Sequence, residues 1–372
     1  MSQKSSEMKA QGIDVINMSV GEPDFNTPEN IKEAAKKAID ENYSKYSPVP
    51  GYADLRKAIV AKLKRENGLD YSVSEVLVSN GAKQSVCNTV MALINDGDEV
   101  IIPAPYWVSY PQMVKLAGGN PVIVNAGFDQ NFKMTPQQLE AAITPKTKLL
   151  IICSPSNPTG SVYTQEELDA LAAVIKKHEE LYVLADEIYE HINYVGKHAS
   201  IAKVAGMKER SIIVNGVSKA YAMTGWRIGY LAASPEIVRV AGKLFQHTIS
   251  CTSGFIQKAA AMAFECGEEI EAMRRTYQER RDFFVGGLNA VPGVHCELPE
   301  GAFYAWTKFD LPGMDSNQGG EYILNNAKVV GVPGVSYGEE KGCWMRFSFA
   351  TDDAQLRRAV ENIARMMKGL KK

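Results

Sequence analysis

The chain carries almost no net charge: 41 lysines and arginines face 43 aspartates and glutamates over 372 residues, a formal charge of −2. That balance excludes the broadly basic surface on which polyanion binding depends, and no basic patch with interleaved aromatics overrides it. Cysteine is sparse as well. Cys87, Cys153, Cys251, Cys266, Cys296 and Cys343 are scattered with no C-x-x-C pair, which excludes a disulfide framework and a zinc site and fits reduced thiols. No apolar run approaches the ~18 residues of a membrane helix, and the first ten residues hold no apolar signal core. A cytoplasmic protein with neither a membrane nor a nucleic-acid partner is expected. Several catalytic signatures are missing too: no G-x-G-x-x-G after a strand, no G-x-x-x-x-G-K-[ST], no H-E-x-x-H and no G-x-S-x-G. The five histidines are dispersed; His191 and His198 read as solvated loop residues, and no metal is expected.

What the chain does have is an ordinary globular composition, 45% apolar and 23% charged, over a length suited to one large domain and a smaller one. Short apolar runs at Val76–Ser79, Glu99–Ile102, Val122–Val124, Leu149–Cys153, Tyr182–Ala185, Ile212–Val214 and Ile228–Leu231 alternate with helical patterns. Near-continuous apolar strands of this kind indicate a sheet buried on both faces, hence an α/β fold. Thr27-Pro-Glu29 reads as a capped helix start, Thr164-x-x-Glu167 as a capping box, and the tract from Ser234-Pro235 to about Leu288 as one long helical stretch. From there the pattern changes to strand-like pieces, Gly301–Trp306 and Trp344–Phe349, between helices. The expected division is a large domain over residues 26–288 and a smaller α+β domain formed by 1–25 and 289–372.

In open α/β sheets ligands bind beyond the carboxyl ends of the strands, so the residues after each apolar run deserve the closest reading. Asn80-Gly-Ala-Lys83 opens a helix with small residues, which suits an anion or simply a turn. Pro103-Ala-Pro-Tyr-Trp107 offers an aromatic for stacking or for the core. Ser154-Pro-Ser-Asn-Pro-Thr-Gly160 is stiffened by two prolines, and Asn157-Pro158 suits a cis peptide. Asp186 ends an apolar strand, where an acid either caps a helix or holds a proton on a ligand nitrogen. Asn215 to Gly229 sets Lys219 and Arg227 among small residues: two chance cations in a turn, or a lysine for a Schiff base and an arginine for a phosphate.

Taken with Gly21-Glu-Pro-Asp-Phe25, Lys45-Tyr46 and Trp344-Met-Arg346, these loops resemble the class I pyridoxal-phosphate aminotransferases, above all the bacterial aspartate aminotransferase branch. The resemblance covers essentially the whole chain. It implies the type I fold of pyridoxal-phosphate-dependent transferases, a seven-stranded, mostly parallel sheet sandwiched by helices plus a smaller α+β domain. It implies a ping-pong Schiff-base transfer from aspartate to 2-oxoglutarate, with Lys219, Asp186 and Tyr189 as catalytic residues. Lys219 would carry pyridoxal 5'-phosphate, Asp186 would keep its ring nitrogen protonated, and Tyr189 and Asn157 would hold its hydroxyl. Gly81, Ala82, Lys83, Ser218 and Arg227 would gather about the phosphate end, and Trp107 would stack on the ring. Arg346 would take the substrate α-carboxylate, with Gly21, Asn157 and Trp107 nearby and Lys83 reading a side-chain carboxylate. Tyr46 would reach the phosphate of a neighbouring subunit, implying a homodimer. Such relatives usually carry a further N-terminal arm before the equivalent of Met1, one that lines the pocket and touches the partner subunit. A broader aromatic or prephenate aminotransferase, a C–S lyase or decarboxylase, and a regulatory cofactor-binding domain remain as alternatives.

Overall fold

The computed structural model describes residues 4, 7, 8, 10–339 and 341–370. The helix-compatible opening from Met1 to Gly12 therefore falls partly outside the described residues. In chain order the strands are β1 (Ile16–Asn17), β2 (Val76–Ser79), β3 (Glu99–Ala104), β4 (Asn120–Asn125), β5 (Thr147–Cys153), β6 (Tyr182–Asp186), β7 (Ser211–Gly216) and β8 (Gly229–Ala232), followed by β9 (Val294–Cys296), β10 (Tyr304–Phe309), β11 (Val329–Val330), β12 (Val332–Pro333) and β13 (Cys343–Ser348).

The apolar runs pair into one seven-stranded sheet in the order β2-β8-β7-β6-β5-β3-β4. Only β8 runs antiparallel to its neighbours, and the other pairings are parallel. Alternate residues explain why the runs read as continuously apolar. Leu149 and Ile151 pack with Val86, Val90 and Phe245 on one face, while Leu150 and Ile152 pack with Leu168 and Leu171 on the other. Both faces are dry, so every position in the run must be apolar. The edge strand β4 is more exposed, and it tolerates Pro121 because its outer backbone has no strand to serve.

The carboxy-terminal part builds an antiparallel sheet, β12-β13-β10-β9. The N-terminal segment joins it through β1, which pairs in parallel with β11. Tyr304, Phe347, Phe284, Ile363 and Met367 meet in the core beneath. Among the described residues no helix is long and apolar enough to cross a membrane.

Several local expectations give way to packing. The tract after Pro235 is three helices, Pro235–Thr248, Gly254–Ala263 and Gly267–Asn289. Ser250 adopts φ +80 after the first, and a Cβ on Gly254 would lie 2.7 Å from the Tyr43 carbonyl oxygen; the apolar periodicity runs straight through both. Thr27 does not cap the helix Glu29–Asp40, because its hydroxyl donates instead to the Ala222 carbonyl at 2.7 Å. Gly301 to Phe303 precede β10 rather than forming it, with Ala302 at φ +57.

Candidate active site

Beyond the carboxyl ends of β5 and β6 lies a cavity of about 640 Å³ whose walls include Gly21, Ala82, Lys83, Trp107, Asn157, Asp186, Tyr189, Ser218, Lys219, Arg227 and Arg346. Gly81 stands just behind it: at φ +86, a Cβ there would meet the Arg227 guanidinium at 2.3 Å. Tyr46 is elsewhere, 90% exposed on the surface. The chemistry-bearing residues named from strand ends thus meet in one place, apart from the residue assigned to a neighbouring subunit.

Lys219 sits in the turn after β7, nearly enclosed, and its Nζ donates to the Gly21 carbonyl at 2.6 Å. Burial, reinforced by the positive Arg346 and Arg227, pulls its pKa down to about 8, although Glu22 and Asp186 pull the other way. Asp186 ends β6 with its carboxylate fully inside. Burial pushes its pKa up to about 6, against hydrogen bonds that the Tyr110 hydroxyl and the Ile188 N–H donate at 2.7 and 3.3 Å. No helix follows it, so Asp186 is not a cap.

Arg346 is planted on β13 opposite Trp306 and Val332. Its guanidinium donates through Nη1 to Asn157 Oδ1 at 3.0 Å and through Nη2 to the Ser19 carbonyl at 2.7 Å. It lies over the Tyr304 ring at 4.3 Å, and its buried Nε has no partner. A buried guanidinium with an unspent donor is prepared for a carboxylate. Asn157 is held in the proline loop, where Ser154-Pro155 and Asn157-Pro158 are both cis.

At the opposite end, the helix Ala82–Leu93 points its N-terminus into the cavity beside Arg227. The first residue of β8 passes so close that a Cβ on Gly229 would lie 2.2 Å from the Ala82 nitrogen. Only glycine permits this approach, and the result is a cradle of backbone N–H groups plus a guanidinium, suited to a phosphate. Lys83 Nζ stands 4.9 Å over the Trp107 ring at the mouth. An acid at one end, an anion cradle at the other, an aromatic wall and a buried amine fit pyridoxal phosphate well.

Tyr110, Cys153 and Tyr304 also line the cavity, and sequence reasoning passed over all three. Tyr304 exchanges a 2.8 Å hydrogen bond with Tyr189; Tyr304 sits in the apolar run Ala302–Trp306, where core aromatics are the rule. The solvated reading of His198 is wrong. The side chain is only 7% exposed, with Nε2 3.2 Å from Oε2 of the likewise enclosed Glu187, because the carboxylate draws the ring inward although residues 195–197 beside it are exposed. His191 is likewise paired with Glu66 at 2.8 Å.

The family description "Aminotransferase class I and II" matches residues 13–363. A Rickettsia bellii protein named "Probable aspartate/prephenate aminotransferase" is 46% identical, covering 97% of this chain and 94% of its own length. Among solved structures, the aspartate aminotransferase from Rhizobium meliloti has a TM-score of 0.95 at 39% identity, over 99% of this chain and 94% of that one. The aromatic aminotransferase from Pyrococcus horikoshii OT3 has a TM-score of 0.93 at 40% identity, over 99% of both chains. Since those matches run through Lys219, Asp186 and Arg346, the chain belongs to the class I and II aminotransferases.

Proposed function

We propose that the cavity holds pyridoxal 5'-phosphate and that the protein transfers an amino group from aspartate to 2-oxoglutarate. The observation that carries this is a single enclosure with Lys219, its pKa drawn down to about 8, between the Asp186 carboxylate and the Arg346 fork. Bound pyridoxal phosphate supplies an electrophilic carbonyl carbon for amines and a ring that accepts the electrons left on the substrate Cα. Asp186, pushed up to about 6 and still mostly ionised at neutral pH, holds a proton on the ring nitrogen. Tyr189 and the Asn157 amide orient the ring hydroxyl, and Trp107 packs on the ring face. Ala82, Gly81, Ser218 and Arg227 bind the phosphate. Lys219, its pKa drawn down to about 8, would be the group that takes up and releases the proton of the substrate Cα. Arg346 binds the α-carboxylate, and its Nη1 and Nη2 have carbonyl oxygens to exchange for it. Lys83 over Trp107 places an ammonium at the mouth for a second carboxylate, which favours a dicarboxylic donor.

The division we propose is a large domain over residues 26–288 and a small one from 1–25 with 289–372, with the last turns of the helix Gly267–Asn289, through Phe284 and Leu288, packing into the small domain's core; the small domain carries Arg346 to the site. The protein works in the cytoplasm as a homodimer in which Tyr46 completes the neighbouring site; its exposure supports that role. Relatives named for prephenate or aromatic substrates define the competing reading. The test is a panel of aspartate, tyrosine and alanine as donors to 2-oxoglutarate. Aspartate is expected to have the highest kcat/KM, and a preference for tyrosine overturns the assignment.

A further inference from the structure

We propose that Tyr110 is a positioning residue for Asp186, keeping its carboxylate ionised and aimed at the ring nitrogen of the bound cofactor. The inference rests on the pyridoxal-phosphate reading of the cavity. Tyr110 opens the helix Tyr110–Leu116, is buried, and packs edge-on against Trp107 at 5.3 Å. That packing fixes the phenol so that its hydroxyl donates to Asp186 Oδ2 at 2.7 Å. The Ile188 N–H donates to Oδ1 at 3.3 Å. Two donors from protein hold the carboxylate in one orientation and leave lone pairs for one more donor, the ring N–H.

The bond has a fixed direction. Burial and the Asp186 charge hold the Tyr110 phenol well above its ordinary pKa, so it donates at every working pH. The other titratable groups facing Asp186 are Cys153 on β5, Glu187 beside it and Lys219 across the cavity. Burial pushes the Cys153 thiol up and keeps it neutral. Glu187 raises the Asp186 pKa and Lys219 lowers it. Against burial, then, the Tyr110 hydroxyl is the main side-chain group favouring the charged form. A neutral carboxylic acid would no longer hold a proton on the ring nitrogen. Removing the donor shifts Asp186 toward that neutral form in the pH range where the enzyme works.

The test compares the affinities of the apoprotein for pyridoxal phosphate and for its 1-deaza analogue, in which C–H replaces the ring nitrogen, across pH. The native protein is expected to prefer pyridoxal phosphate. In Tyr110→Phe that preference should shrink about tenfold at neutral pH, the scale of a hydrogen bond to a charged group. The acid limb of pyridoxal-phosphate affinity should move to higher pH while the deaza analogue binds as before. A second variant guards against misfolding: 3,5-difluorotyrosine at position 110 keeps the shape and strengthens the donor, so the acid limb should move to lower pH. Equal loss of both ligands in Tyr110→Phe with an unmoved limb in the fluorinated protein overturns the inference. Failure of the native protein to bind pyridoxal phosphate at all overturns instead the reading of the site on which it rests.

Discussion

Lys83 shows how much at the residue scale depends on neighbours rather than on residue type. Its Nζ lies over the Trp107 ring in the cavity wall, whereas the Lys219 amine is buried, and the two lysines suit different tasks. Lys83 stands where a side-chain carboxylate would come; Lys219 is pulled toward neutrality by burial and the nearby arginines. Lys83→Ala should therefore lower kcat/KM for aspartate about tenfold or more and leave alanine within about twofold of its native value. Steady-state kinetics on the two donors check this, and an equal loss on both would show that Lys83 does not read the side chain. That Lys219, Asp186 and Asn157 come together at one cavity was legible because each follows an apolar strand, whereas Arg346 entered only through the resemblance. Tyr110 and Tyr304 were not legible, because a phenol in an apolar stripe reads as core until its hydroxyl is seen to reach Asp186 or Tyr189.

At the scale of elements, the cavity depends on close approaches between strand ends and helix starts. Gly229 at the start of β8 lies against the N-terminus of the helix Ala82–Leu93, where a Cβ would come within 2.2 Å of the Ala82 nitrogen. Gly229→Ala must push strand and helix apart, costing about 1–3 kcal/mol and opening the phosphate cradle. A lower Tm of the apoprotein together with weaker pyridoxal-phosphate binding is expected; an unchanged affinity would separate the cradle from this contact. The segment after β6 is the other critical connection. There Lys62, Asn67 and Asn215 all donate to the Glu190 carboxylate, and His198 faces Glu187. Burial works against the His198 imidazolium, yet Glu187, helped by Glu190 and opposed by Lys62, holds its pKa above the ordinary value. A raised pKa in the folded state means that this stabilisation is full below about pH 6.5 and is lost as pH rises through the folded value. His198→Gln should thus lower Tm most at acidic pH, by the equivalent of about 3 kcal/mol, and the gap to the native protein should narrow as pH rises. Thermal unfolding of both proteins over about pH 6–9 measures it, and a pH-independent gap would remove the ion pair from the account. The strand pattern predicted the sheet, but not this network, since nothing in a loop histidine's spacing says that its ring turns inward.

For the whole molecule, the question is whether one chain completes its own site. Tyr46 is 90% exposed and absent from the cavity wall that gathers the other assigned side chains, so its proposed phosphate contact requires a second copy. Mixing two inactive or impaired variants decides the matter. In a hybrid dimer of Lys219→Ala with Tyr46→Phe, a shared arrangement gives one site both defects and the other site neither. Refolding or co-expressing the pair should then yield hybrid dimers with one site of native activity, well above the sum of the two parent proteins. If Tyr46 instead served its own chain, each site of the hybrid would retain one defect and no such recovery would occur. Measuring kcat per hybrid dimer, separated from the parents by distinct affinity tags, distinguishes the two arrangements, and kcat near half the native value per dimer is the result that places Tyr46 across the subunit boundary.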